Sequence, residues 1–270
     1  MERFLNGGLT MAVRRFGAGP AHFLAFHGFG RTGADFSALA PSLAESCTLH
    51  AFDLPCHGES PGLPPGQAIK PEQLADFFRA YLRSQSIPQA GLMGYSLGGR
   101  IALCLLERSP AMFTRAFLLA PDGLVPRPWY RGLAHYRMGR WLYRVFIDHP
   151  GTAHAAMRLL HRLGMLDGRM FRFLMDRTAT PQARALLHQV WTGFRLIEPR
   201  LASVAANMQA HHIPVHLLLG QFDRVIRPSS GRRLLQLAPT WVQVHLLPTG
   251  HRMLNGETGT LIASLLQAGA

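Results

Sequence analysis

Short, nearly continuous apolar runs alternate with amphipathic stretches along most of the chain, a rhythm that predicts a mostly parallel sheet covered by helices. Residues 9–16 alternate apolar and polar positions, as an exposed strand does. Residues 21–27 and 114–120 are almost wholly apolar, as expected of strands buried on both faces. Further strands are predicted at 48–52, 90–95, 214–219 and 241–247. Helical spacing covers 33–45, 71–86, 97–108 and the segment from about 258. Pro71 sits where a helix tolerates proline, in the first turn, and Pro110 stops the helix before it.

The rhythm changes between residues 121 and 213, where no strand-like run occurs and helical stretches follow one another at 130–146, 152–163, 168–176 and 181–194. This predicts a core of residues 1–121 and 208–270 interrupted by a helical insertion, 122–207. Open α/β sheets bind ligands at the carboxyl ends of their strands, so such an insertion is expected to form a cap there. No internal repeat or low-complexity segment is present.

Five stretches carry candidate chemistry. Gly94-Tyr95-Ser96-Leu97-Gly98 lies between a predicted strand and a predicted helix, the context of a nucleophile elbow. A serine at so sharp a turn takes strained backbone angles, and the residues two before and two after must be nearly without side chains. A serine hydroxyl is a weak nucleophile and needs a base within hydrogen-bond reach. His251, after the last predicted strand, is one of 14 histidines but stands last in the order nucleophile, acid, histidine. Asp223, after the preceding strand, is the candidate acid that would hold the imidazole in its productive tautomer. Asp122, just past the strand at 114–120, is its rival. The backbone N–H groups of Leu97 and of Phe29, in His27-Gly28-Phe29-Gly30, are the expected oxyanion donors. Tyr95, Trp129 and Tyr130 are candidate substrate contacts. The fifth stretch, Asp53-Leu54-Pro55-Cys56-His57-Gly58-Glu59-Ser60, follows the strand at 48–52.

Taken in order, these stretches resemble the α/β-hydrolase superfamily. The resemblance implies an eight-stranded, mostly parallel sheet flanked by helices, with Ser96, Asp223 and His251 as catalytic triad. The fifth stretch is similar to the D-x-x-G-H-G-x-S segment of that superfamily, which is mainly structural, so neither His57 nor Ser60 is given a catalytic role. Cys56 replaces a glycine of that pattern, which puts the loop shape in question. A serine at the elbow sets the chain apart from the haloalkane-dehalogenase and epoxide-hydrolase branches, which use aspartate there. The run Gly94 to Arg100, with the Asp-Leu-Pro start at Asp53, also resembles the menaquinone-pathway synthase branch, where the same triad performs an elimination. The resemblance therefore implies a serine esterase or thioesterase, the alternatives being a cofactor-free lyase and a non-catalytic small-molecule-binding member of the fold.

Composition bears on partners more than on fold. With 48% apolar residues the 270-residue chain has material for a large core. Its formal charge is +13, and every basic residue except Lys70 is arginine. Between residues 124 and 207 there are 13 arginines against four acids, a net of +9, interleaved with aromatics. Three readings fit: steering of an anionic acyl substrate, contact with an anionic membrane surface, and a water-facing cap in an arginine-biased chain. The absence of a basic block argues against nucleic acid. Cys47, Cys56 and Cys104 are too few and too scattered for a disulfide framework or zinc site, and neither a metal nor an organic cofactor is expected. No signal-peptide pattern or bilayer-length apolar run occurs, so a cytoplasmic protein is expected. Oligomeric state is left open.

Overall fold

The computed structural model describes residues 1–126, 132 and 134–268. Two compact units emerge from the packing: Met1–Pro61 with Lys70–Pro126 and Ile197–Ala270, and Gly62–Ile69 with Arg127–Leu196.

The larger unit holds an eight-stranded sheet in the order β1-β2-β4-β3-β5-β6-β7-β8. Its strands are β1 (Glu2–Asn6), β2 (Leu9–Phe16), β3 (Ala21–Phe26), β4 (Cys47–Phe52), β5 (Ala90–Tyr95), β6 (Phe113–Leu119), β7 (Val215–Gly220) and β8 (Val242–Leu247). Strand β2 pairs antiparallel with both β1 and β4, and every other pairing is parallel. This is the mostly parallel sheet the resemblance implies. Strand β1 escapes the hydropathy pattern because its side chains are largely exposed, and its order comes from the ladder with β2.

Alternation along the strands builds a core on each face of the sheet. Phe23 and Ala25 of β3 join Met93, Phe117, Leu119 and Ile262 in one apolar cluster. Phe26, with the opposite parity, meets Phe78 at 4.9 Å. Phe78 belongs to helix α2 (Pro71–Ser84), whose buried Leu74, Phe77, Phe78, Tyr81 and Leu82 recur at helical spacing. Fully burying each such side chain is worth about 1.5–3 kcal/mol, so these aromatics fix the helix against the sheet.

The helix predicted over 33–45 is two pieces, a 3₁₀ turn at Gly33–Ala38 and a short helix, α1 (Ala40–Leu43). Proline starts a helix but cannot continue one, and Pro41 lies in the first turn of the second piece. The helix Leu201–Ala210 groups with the sheet, whereas the insertion expected from the sequence, 122–207, ends within it. Glu107 explains this, because its carboxylate takes the Arg200 amide N–H and guanidinium (2.9 and 2.7 Å). The Asn207 amide then donates to the carbonyls of Leu106 and Glu107. The helix is thus fastened to the end of α3 (Leu97–Arg108).

The smaller unit contains the helices Arg137–Asp148, Pro150–Arg162, Gly168–Thr178 and Pro181–Gly193. Its centre includes Tyr143, stacked on Trp191 at 5.5 Å. Segment 62–69 belongs here through the bond from the Ile69 N–H to the Gly193 carbonyl. No helix among the described residues is long and apolar enough to cross a membrane.

Candidate active site

Ser96 occupies the single step between β5 and α3, at φ 51° and ψ −112°. Its N–H donates to the Leu119 carbonyl, and its own carbonyl accepts from the Gly99 and Asp122 amides, so neighbouring backbone holds the strained turn. The glycines on either side are required by space. A Cβ on Gly98 would lie 1.9 Å from the Phe26 carbonyl oxygen, and one on Gly94 2.6 Å from that of Gly98. Gly98→Ala is therefore expected to destabilise the protein by about 3 kcal/mol or more, read as a lowered denaturant midpoint at unchanged slope.

Strands β7 and β8 deliver the other two side chains. Backbone bonds from the Gln221 and Phe222 amides to the Leu247 and Thr249 carbonyls draw the two following loops together. A Cβ on Gly220 would lie 2.3 Å from the Gly250 oxygen, so the loops approach as closely as glycine permits. His251 Nδ1 lies 2.7 Å from Asp223 Oδ2, and its Nε2 lies 3.1 Å from Ser96 Oγ. A carboxylate only accepts, so Nδ1 carries the proton and Nε2 is free to accept from the serine hydroxyl. The other Asp223 oxygen accepts the Val225 and Ile226 amides at 2.7 and 2.9 Å, which fixes the carboxylate plane. The structure thus unites Ser96, His251 and Asp223, although 155 residues separate the first two. Asp122 does not join them, because its carboxylate is engaged by Arg100 and the Gly123 amide.

Tyr95, expected to touch substrate, has a structural partner of its own. The side chain is buried, and its hydroxyl donates to the His251 carbonyl at 2.9 Å, bracing the loop that carries the imidazole. Trp129 and Tyr130 lie outside the described residues. Leu97 is the first residue of α3, so its amide is one of the open donors of that helix terminus. Gly28, before Phe29, runs against Ser96: an added Cβ would lie 3.3 Å from the Ser96 Cβ and 3.0 Å from the Tyr95 ring.

The stretch 53–60 explains its own residue choices. Buried Asp53 accepts the Gly33 and Glu59 amides (2.7 and 2.9 Å) and pairs with Arg14 at 3.3 Å. Ser60 donates to the Asp53 carbonyl and accepts the Ala12 amide. Cys56 keeps the glycine-like turn, with φ 70°, at the conformational cost of a side chain in the left-handed region. Nothing in the sequence assigns His27 a part, and His57 belongs to a segment expected to be structural; both anchor the loop containing Phe29. Two His-Gly pairs after neighbouring strands were the available signal. Among the described residues no group of three or more His, Cys, Asp or Glu converges as a metal site.

The model of the Alpha/beta hydrolase family matches residues 23–264. The uncharacterized hydrolase YugF of Bacillus subtilis is 24% identical, over 93% of this chain and 91% of its own length. The pimeloyl-[acyl-carrier protein] methyl ester esterase of Stenotrophomonas maltophilia is 28% identical, over 92% of both chains. Among solved structures, a thermophilic esterase from Thermogutta terrifontis superposes with a TM-score of 0.65 at 20% identity, covering 99% of this chain and 96% of that one.

Proposed function

Since this chain belongs to the alpha/beta hydrolase family, we propose that it is a serine hydrolase that cleaves a carboxylic ester or thioester through an acyl-enzyme. The observation that carries the proposal is the continuous hydrogen-bond line from Asp223 through His251 to Ser96, at 2.7 and 3.1 Å. In this reading His251 takes the Ser96 proton as Oγ attacks the carbonyl carbon. The Phe29 and Leu97 amides receive the oxyanion, each donor worth about 3 kcal/mol in the transition state. His251 then returns the proton to the departing alkoxide or thiolate, and water activated by the same imidazole releases the acid. Asp223 holds the ring and stabilises its cationic form.

The 28% identical relative, a methyl ester esterase of an acyl-carrier-protein conjugate, supports ester cleavage as the reaction class. The net +9 between residues 124 and 207 supports an anionic acyl substrate. For such a substrate KM is expected to rise as ionic strength increases from 0.05 to 0.5 M, while KM for an uncharged p-nitrophenyl ester stays constant. Equal salt dependence of the two would remove the steering idea.

The experiment for the reaction class is turnover of an acyl series of p-nitrophenyl esters and thioesters in ¹⁸O-water, with intact-mass analysis of the enzyme. The expected result is one ¹⁸O in the released acid and a transient acyl adduct on the Ser96 peptide. An elimination product without label would indicate a lyase. A serine inert to both the esters and a fluorophosphonate would indicate a non-catalytic member.

A further inference from the structure

Two buried histidines outside the Ser96–His251–Asp223 line flank the loop after β3. The Leu54 amide donates to His27 Nε2 at 2.9 Å, and His27 Nδ1 lies 2.7 Å from the Gly28 carbonyl oxygen. The Gly30 amide donates to His57 Nε2 at 3.1 Å, and His57 Nδ1 lies 3.1 Å from the Pro55 carbonyl oxygen. An amide N–H only donates and a carbonyl only accepts, so each ring is the neutral Nδ1–H tautomer with both nitrogens engaged. A second ring proton would break an existing bond in either case. The rings meet edge to face at 4.9 Å, and neither is more than 4% exposed. Burial holds His27 at a pKa of about 3 and lowers that of His57, so both stay neutral at ordinary pH.

These four bonds tie residues 28–30 to residues 54–57 across the ends of two adjacent parallel strands. Gly28 and Gly30, the latter at φ 68°, leave the loop little stiffness of its own. The Gly28 carbonyl and the Phe29 N–H belong to one planar trans peptide unit, so fixing the carbonyl fixes the N–H in the opposite direction. A hydrogen bond to that carbonyl also polarises the N–H and strengthens it as a donor.

We propose that His27 and His57 are positioning residues for the oxyanion site: His27 aims the Gly28–Phe29 peptide unit, and His57 pins its far side through the Gly30 amide. This rests on the serine-hydrolase reading above, because an aimed Phe29 N–H matters only if an oxyanion forms beside Ser96.

The test uses the full-length protein, with active sites counted by complete fluorophosphonate labelling so that misfolded protein does not enter the rate. His27→Leu is expected to lower kcat per labelled serine at least 30-fold on p-nitrophenyl acetate, with KM within threefold of wild type. An asparagine amide can replace the Nδ1 donor, so His27→Asn is expected to recover at least tenfold over His27→Leu. Likewise His57→Gln, which retains an acceptor for the Gly30 amide, is expected to exceed His57→Met at least fivefold. A His27→Leu enzyme with wild-type kcat, or no rescue by either polar variant, would overturn the proposal. Wild-type protein gives a test that survives poor folding of the variants: ¹⁵N spectra at pH 7 are expected to show both rings as Nδ1–H tautomers, and an Nε2–H tautomer or imidazolium at either would overturn it. Ser96→Ala separates the two layers. If that variant turned over like wild type, the serine reading itself would fail, whatever the histidine variants did.

Discussion

Ser96→Ala and Asp223→Asn are each expected to lower kcat by about 10⁴-fold or more with little change in KM, while Asp122→Asn stays within about tenfold of wild type. A factor of 10⁴ corresponds to about 5.5 kcal/mol of transition-state stabilisation. In the proposed reaction alanine removes the attacking oxygen but leaves the acyl group's binding surface in place, so kcat carries the loss. Asparagine at 223 places an amide where Oδ2 now accepts the Nδ1–H at 2.7 Å. An NH₂ facing Nδ1 would favour the wrong imidazole tautomer, with Nε2 protonated and unable to take the serine proton. Asp122 is a different case, since its carboxylate serves Arg100 and the Gly123 amide rather than the imidazole. Its replacement should show in thermal stability before it shows in turnover. Steady-state kinetics with site-titrated enzyme decide this, and equal losses at 122 and 223 would mean that the acid has been assigned to the wrong strand.

Stability is expected to fall between pH 6.5 and about pH 4, through histidines remote from His251 as well as through His27. Burial lowers the pKa of His27 to about 3, with His57 as a further cause. It lowers those of His50 and His216 to about 4, where the neighbouring His22 and His245 add to the effect. Each of the latter two shares a hydrogen bond with its neighbour, His22 to His50 at 3.0 Å and His216 to His245 at 3.1 Å. Above pH 6.5 all three are neutral in both the folded and the unfolded chain and contribute no pH dependence. Below it the unfolded chain binds protons that the folded one refuses, so stability falls as pH falls. Each site costs about 1.4 kcal/mol per pH unit until its own folded pKa is reached. Solvent screening reduces the contribution of His50 and His216, so at pH 5 the three together cost a few kcal/mol, on the order of a third of the stability of many domains. Urea denaturation between pH 7.5 and 4.5 checks this, with His216→Gln expected to flatten the slope by about one proton. A midpoint unchanged from pH 7 to pH 5 would contradict it.

Residues whose role follows from local backbone geometry were the legible ones. Gly94 and Gly98 announce an elbow because no other residue fits beside Ser96, and the apolar runs at 21–27 and 114–120 could hardly be anything but buried strands. His251 and Asp223 were legible through chain order, since each follows a strand end that the hydropathy pattern locates. Less legible was anything whose partner lies far along the chain. Helix Leu201–Ala210 joins the sheet unit through Glu107, about a hundred residues earlier, and nothing local marks that bond. The bond from the Tyr95 hydroxyl to the His251 carbonyl, 156 residues on, is likewise marked by nothing local. His27 and His57 find their partner amides 27 residues away, on loops that only the parallel pairing of β3 with β4 makes neighbours.

The most direct measurement of whether Ser96 is an activated nucleophile is its rate of modification by a fluorophosphonate, with the adduct mapped by peptide mass analysis. One adduct on Ser96 is expected in the native protein, none after denaturation, and a rate at least 10³-fold slower in His251→Ala. Native protein that stays unmodified, or that labels equally fast without the imidazole, would contradict the account.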